Sequence, residues 1–157
     1  MSIQIIPFES KYNVHFKRLN INWVEKYFFV ESKDRELLED CKKSIIDKGG
    51  FVFFAKYNDE IVGCFSFIKV DNRHFELGKM AVDPKFQGLK IGQYMMKFAI
   101  DYGKKKKWTK ISLYSSTKLD TALHIYEKFG FNYVVLEKDL PYARSDIKME
   151  LNLNNQK

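Results

Sequence analysis

At 157 residues the chain has the length of one ordinary domain, and its 45% hydrophobic and 16% aromatic content excludes a disordered polymer. A formal net charge of +7 suits polyanionic ligands. No apolar run approaches the roughly 18 residues of a membrane span, Met1-Ser2-Ile3-Gln4 lacks the start of a signal peptide, and Cys41 and Cys64 do not make a disulfide framework, so the expectation is a cytoplasmic protein with no membrane partner.

Ile3 to Phe8 reads as a first strand, closed by Pro7-Phe8. Tyr12, Phe16, Leu19 and Trp23 recur at helical spacing and predict a helix from Lys11 to about Tyr27. Leu37, Leu38, Cys41 and Ile45 predict a second over Glu36 to Asp47, with Ser32 as a candidate cap. Phe51 to Tyr57 and Ile61 to Val70 read as strands joined by an Asn58-Asp59-Glu60 hairpin turn, with Cys64 as a buried thiol. Arg73 to Val82 is the next strand. A helix from Lys90 to Lys105 carries Ile91, Tyr94, Met95, Phe98 and Tyr102 on one face. Lys110 to Tyr114, Leu119 to Phe129 and Phe131 to Glu137 read as strand, helix and strand. Ile147, Met149, Leu151 and Leu153 alternate with polar residues in a last strand with one wet face. The order β-α-α-β-β-β-α-β-α-β-β predicts an α/β chain, with one mixed sheet, helices on both faces and a single domain over residues 1–157. A parallel crossover joins Met80-Ala81-Val82 to Ile111-Ser112-Leu113.

Two stretches carry chemistry. In Met80 to Gln93 an apolar segment ends, Pro84 breaks it, and Gln87-Gly88-Leu89-Lys90-Ile91-Gly92 turns into a helix. That places unpaired N–H groups and about half a positive charge at a helix N-terminus, a phosphate cradle. Taken alone the turn is a weak signal, since a glycine-containing loop before a helix is more often plain punctuation. It is not a P-loop, since no Gly-Lys-Ser/Thr follows, and a dinucleotide turn would need a third glycine in register. The second stretch is Leu119-Asp120-Thr121-Ala122-Leu123-His124-Ile125-Tyr126-Glu127-Lys128-Phe129-Gly130-Phe131.

In this order and at this distance the two stretches resemble the GNAT superfamily of acetyl-CoA-dependent N-acetyltransferases. The first resembles the family's (Gln/Arg)-x-x-Gly-x-(Gly/Ala) pyrophosphate loop. The second resembles its Ala-x-x-x-Tyr-x-x-x-Gly-Phe segment, with Tyr126 on the usual tyrosine. The element order also matches the GNAT topology, in which the two parallel strands splay and the pantetheine arm lies in the gap. The resemblance implies acetyl-CoA as co-substrate, held by main-chain groups of Gln87, Gly88, Leu89, Lys90, Ile91, Gly92 and Gln93. The main chain of Met80, Ala81 and Val82 would serve the pantetheine and the oxyanion, and Leu119 would lie beside the coenzyme. Tyr126 becomes the candidate general acid, although a tyrosine on an apolar helix face is also an ordinary core residue. Glu76 becomes the candidate general base, where other members use a water chain; its bland reading is a strand carboxylate paired with Lys79 or Arg73.

The implied acceptor is a primary amine of a small molecule, peptide or protein, met by the segments that hold Trp23, Tyr27, Phe28 and Arg144. Relatives often dimerise, which makes a homodimer an expectation of the same kind. Two positions depart from the family pattern: Lys90 replaces a frequent glycine and Leu119 a frequent asparagine. They keep open a GNAT-fold protein that binds coenzyme A without turnover. The run Lys104-Lys105-Lys106-Lys107 reads as a solvated helix end, and without a base-reading motif no nucleic-acid partner is expected. His15, His74 and His124 are scattered, and no metal-ligand spacing is present.

Overall fold

The computed structural model describes residues 2–140 and 142–153. Its elements are β1 (Ile3–Pro7), α1 (Asn13–Tyr27), α2 (Ser32–Glu39), β2 (Phe51–Tyr57), β3 (Glu60–Asp71), β4 (His74–Val82), α3 (Ile91–Lys105), β5 (Lys110–Ser115), α4 (Asp120–Lys128), β6 (Asn132–Val134) and β7 (Ile147–Asn152). The strands form one seven-stranded mixed sheet in the order β1-β2-β3-β4-β5-β7-β6. The β4–β5 pair is parallel and the other neighbours are antiparallel. No helix among the described residues is long and apolar enough to cross a membrane.

The apolar run of β2 has a simple cause. Phe53 and Ala55 pack in a cluster with Phe65, Met95, Met96 and Ala99 from β3 and α3. Val52 and Phe54 point the other way, into a cluster with Phe16, Leu19, Leu37 and Leu38 from α1 and α2. A strand covered on both faces has no wet side to keep polar. The β2–β3 turn is the expected hairpin: Asn58 and Asp59 both have positive φ, at 48° and 67°, which suits a two-residue I′ turn.

Two boundaries differ from the sequence expectation. The helix expected over residues 36–47 is α2, starting earlier at Ser32 and ending at Glu39, followed by a separate π turn over Lys42–Ile46. Asn13 stabilises the break. Its Nδ2 donates to the Glu39 carbonyl at 3.2 Å and its Oδ1 accepts the Cys41 N–H at 3.2 Å. The strand expected over residues 131–137 pairs only at Asn132–Val134, because β6 is an edge strand whose one neighbour is β7. Val135, just beyond, is 90% exposed.

The tetralysine run ends α3 in solvent. The Trp108 N–H reaches back to the Gly103 carbonyl and the Lys107 N–H to Lys104, with Lys107 at φ 62°. That is a Schellman ending with a lysine in the place usually taken by glycine. Trp108 then stacks on Phe75, with centroids 3.9 Å apart, and anchors the start of β5.

Gly50 sits where the chain enters β2 under β3. A Cβ there would lie 2.4 Å from the Phe67 carbonyl oxygen and 2.8 Å from Ile45 Cγ2. Gly50→Ala is therefore expected to lower the urea unfolding midpoint, with a stability loss of about 1–3 kcal/mol; an unchanged midpoint would show that this close approach relaxes without cost.

Candidate active site

The site begins where two strands part. β4 and β5 pair over His74–Lys110, Phe75–Ile111 and Glu76–Ser112, and there the ladder stops. Beyond Glu76 the β5-facing edge of β4 has no strand partner, so its peptide groups are free to bind an extended ligand. A bulge sharpens the geometry. Cys64 pairs with Ala81 and Ser66 with Gly78, so Phe65 opposes two residues, Lys79 and Met80. Lys79 takes the left-handed conformation, φ 53°. The extra residue switches the side-chain alternation. Phe75 and Leu77 belong to the α3-side cluster before it, and Met80 and Val82 pack there after it, while Ala81 contributes to the α1-side cluster. The carbonyls at the bulge are held from β3: the Ser66 hydroxyl donates to Gly78 at 3.0 Å and the Cys64 thiol to Lys79 at 3.5 Å. Burial pushes the Cys64 thiol up to about 12, so it remains a neutral donor.

After β4, Asp83 fastens the turn. Its carboxylate accepts the Lys85 N–H at 3.0 Å and an ion pair from Arg18 at 3.2 Å. The first α3 bond runs from the Tyr94 N–H to the Lys90 carbonyl, which leaves the N–H groups of Ile91, Gly92 and Gln93 without helical partners. Gly88 has φ 89°, and a Cβ at Gly88 or Gly92 would meet nothing within 4 Å. The glycines thus keep open the space that an anion at this helix end would fill. Lys90 is not helical; it precedes the helix at φ 60°, ψ 28°. A non-glycine residue there costs about 1–2 kcal/mol, which the short turn into α3 imposes.

A cleft of ≈ 300 Å³ runs along the fork. Toward the N-terminus of α3 it is lined by Met80, Ala81, Val82, Gln87, Gly92, Leu119 and Tyr126. Gly88, Leu89, Lys90, Ile91 and Gln93 lie in the adjoining turn and first helical turn. Gln93 is tied to α4 through Lys128, whose Nζ donates to Oε1 at 3.2 Å. Tyr126 is half-buried against the core and also faces the cleft. Burial alone raises its hydroxyl to about 12, so it is a neutral phenol at physiological pH.

The other side of the cleft is lined by Trp23, Phe28, Glu76, Tyr142 and Arg144. Tyr27 is outside it, 42% exposed and packed on Trp23 with centroids 5.5 Å apart. Glu76 stands on the last paired rung of the fork. Burial raises its carboxyl above the ordinary range, against the pull of Lys79, Lys148 and Lys33. Arg144 is already engaged. It grips Asp34 with two bonds, at 2.8 and 2.6 Å, and reaches Glu31 at 3.3 Å. Lys79 Nζ shares the same Asp34 at 2.6 Å. Asp34 has no exposed surface; burial pushes its carboxyl up, but bonds from Arg144, Lys79 and the Glu31 N–H prevail and hold it well below the usual carboxylate range. Removing one member of such a buried group costs about 3–5 kcal/mol, because its partners are left charged and unpaired.

Sequence reasoning passed over Asp34, gave Lys79 only as a pairing partner of Glu76, where the structure pairs it with Asp34, and gave Tyr142 no role of its own. Asp34 had one signal, an acidic side chain three residues after Glu31 at a helix start, where it caps the Glu31 N–H at 2.9 Å. The other two are drawn into the cleft by a bulge and a loop, which leave no periodic trace. No group of three or more His, Cys, Asp or Glu among the described residues is placed to hold a metal ion.

The model of the acetyltransferase (GNAT) family matches residues 17–131, which span the fork, the turn and α4. The chain belongs to the GNAT family. Solved structures of the same fold include a GNAT-family acetyltransferase from Staphylococcus aureus Mu50, 24% identical, covering 97% of this chain and 99% of that one, with a TM-score of 0.85. An acetyltransferase from Streptococcus agalactiae 2603 is 19% identical over 96% and 98% of the two chains, with a TM-score of 0.78. A spermidine N-acetyltransferase from Vibrio cholerae, solved with CoA and spermine, is 21% identical over 97% and 96%, with a TM-score of 0.73. No curated protein matches the chain by sequence. The strand fork and bulge described above therefore sit within the segment that defines this GNAT chain.

Because nothing in the fold occupies the space above Gly92, a glutamate there leaves packing intact while placing a negative charge over the helix N-terminus. Gly92→Glu is expected to abolish the thermal shift produced by acetyl-CoA with the unliganded melting temperature held; an undiminished shift would remove the turn from coenzyme binding.

Proposed function

We propose that this protein transfers an acetyl group from acetyl-CoA to a primary amine by direct attack in a ternary complex. The observation that carries the reading is the single cleft at the β4–β5 fork, lined at once by the open N-terminus of α3, by Glu76 and by Tyr126. The Vibrio cholerae enzyme of the same fold, described with CoA and spermine, supports a coenzyme thioester and an amine as the two substrates. The main-chain N–H groups of the 87–93 turn hold the diphosphate, and the unpaired edge of β4 from Met80 to Val82 meets the pantetheine arm. The two buried free thiols suit a reducing compartment, which supports a cytoplasmic location.

The chemistry divides among three groups. An alkylammonium has a pKa near 10.4 and must lose a proton before it attacks; the Glu76 carboxylate takes it. As the C–N bond forms and the C–S bond breaks, N–H groups on the β4 edge stabilise the developing oxyanion. The Tyr126 phenol donates toward the departing sulfur. A second reading, coenzyme binding without turnover, has Lys90 and Leu119 in its favour, and is distinguished by coenzyme affinity without thiol release over a broad amine panel.

Two measurements test the residue roles. Tyr126→Phe removes only the hydroxyl and is expected to lower kcat by about 10²–10⁴-fold with coenzyme affinity retained; full kcat would exclude it as the acid. A base acts only when deprotonated, so wild-type kcat/KM should fall on acidification at a pH above the ordinary carboxylate range, since burial raises Glu76. Glu76→Gln should lose activity at neutral pH and recover steadily toward alkaline pH, as solution supplies free amine. A variant profile parallel to wild type would exclude Glu76 as the base.

A further inference from the structure

Tyr142 is the unexplained residue of the acceptor side. It lines the cleft, its hydroxyl is buried, and that oxygen has no hydrogen-bond partner among the described residues. A buried hydroxyl left unpaired is a standing cost to the fold and marks a place where a partner is brought from outside. The ring itself is fixed. The Arg144 guanidinium lies 4.2 Å from its centroid on one account and Lys79 Nζ 4.5 Å. Both cations are anchored in turn by the fully buried Asp34.

The charges around Tyr142 are accounted for one by one. Arg144 is taken by Asp34 and Glu31, and Lys79 by Asp34. Glu31 also accepts the Ala143 N–H at 3.0 Å. Among the cleft's charged lining residues, Glu76 has no ion-pair partner among the described residues. It lines the same cleft as Tyr142. Trp23, Val24, Phe28 and Ile68 add apolar surface and ring faces, while of the polar lining residues Asn20 is bonded to Phe16 and Cys64, Tyr114 to Glu137, and Ser115, on β5, is the other buried hydroxyl without a partner among the described residues. Glu76 is the one carboxylate among the cleft's lining residues, and Lys79, Lys148 and Lys33 are each paired with another acid, so the wall offers one ammonium site and no free anion for a second ammonium. A substrate carboxylate finds no free cation among the lining residues, because Arg144 and Lys79 are both paired.

We infer that the Tyr142 hydroxyl and the Glu76 carboxylate together receive one ammonium group carried on an apolar body, so that the acceptor is a small monoamine and not a polyamine or an amino acid. This rests on the acetyl-transfer reading and adds to it the class of substrate. The ammonium supplies donors to both oxygens, and the apolar body covers Trp23 and Phe28. Tyr142 thereby becomes an acceptor-binding residue.

The test compares initial rates of thiol release from acetyl-CoA with phenethylamine, spermidine, phenylalanine and a lysine-containing peptide as acceptors, for the full chain and for Tyr142→Phe. The expected result is a kcat/KM for phenethylamine at least about tenfold above the other three, since a site leaves unmatched polar groups poorly bound. Tyr142→Phe should raise the KM for phenethylamine by roughly three- to tenfold, with the KM for acetyl-CoA and the melting temperature unchanged or the latter raised. A lowered melting temperature in this variant would reveal an internal partner for the hydroxyl and overturn the inference. Preference for spermidine, phenylalanine or the peptide would overturn it while acetyl transfer stands. Coenzyme binding with no acceptor consumed would overturn both.

Discussion

The parting of β4 from β5 after the Glu76–Ser112 rung is the constraint on which the site depends. A sheet closes its interior by pairing every backbone group with a neighbouring strand, and an interrupted ladder leaves peptide dipoles that need another partner. Here the interruption lies mid-sheet, between strands that α3 connects by a parallel crossover. Because the strands are held together at His74 to Glu76 and released beyond, the opening is a wedge with a fixed apex. Glu76 occupies that apex. The N-terminus of α3 and the cleft-facing side of α4 both border the opening because each follows directly from one of the two parted strands.

A wedge of this kind must be kept from collapsing, and two arrangements do so. The bulge at Lys79 is supported from β3 by the hydroxyl of Ser66 and the thiol of Cys64, both fully buried. On the side of the cleft lined by Trp23 and Phe28, Asp34 binds Lys79 of β4 and Arg144 of the loop before β7, and so joins the start of α2 to two walls of the cleft. Such buried charges seldom add net stability over apolar substitutes. Their effect here is geometric: both cations are turned toward a carboxylate that solvent does not reach.

The sequence made the sheet legible because its strands obey simple periodicities. The doubly covered β2 reads as a continuous apolar run, the I′ hairpin shows itself in Asn58-Asp59, and α3 has a clear apolar stripe. The turn before α3 was legible as a turn with an open helix N-terminus because glycine spacing before a helix has a physical meaning. The break at Asp40 was hidden, since it depends on the Asn13 side chain from a helix 26 or more positions away. The left-handed Lys79 and Lys90 were hidden for a related reason: lysine has no preference for that conformation, and only the surrounding pairing imposes it. Glu76 and Tyr126 came from motif position, whereas Tyr142 could be recognised only once its hydroxyl was seen to lack a partner.

The Asp34 tether also bears on how this protein could diversify. Arg144 is the residue a search for altered preference would try first, since it lies at the mouth of the cleft and carries charge, yet changing it would undo the anchoring of α2. Trp23 and Phe28 carry no such obligation. New specificities are therefore most accessible through aromatic positions that carry no ion pair, while the ionic framework behind them stays unaltered.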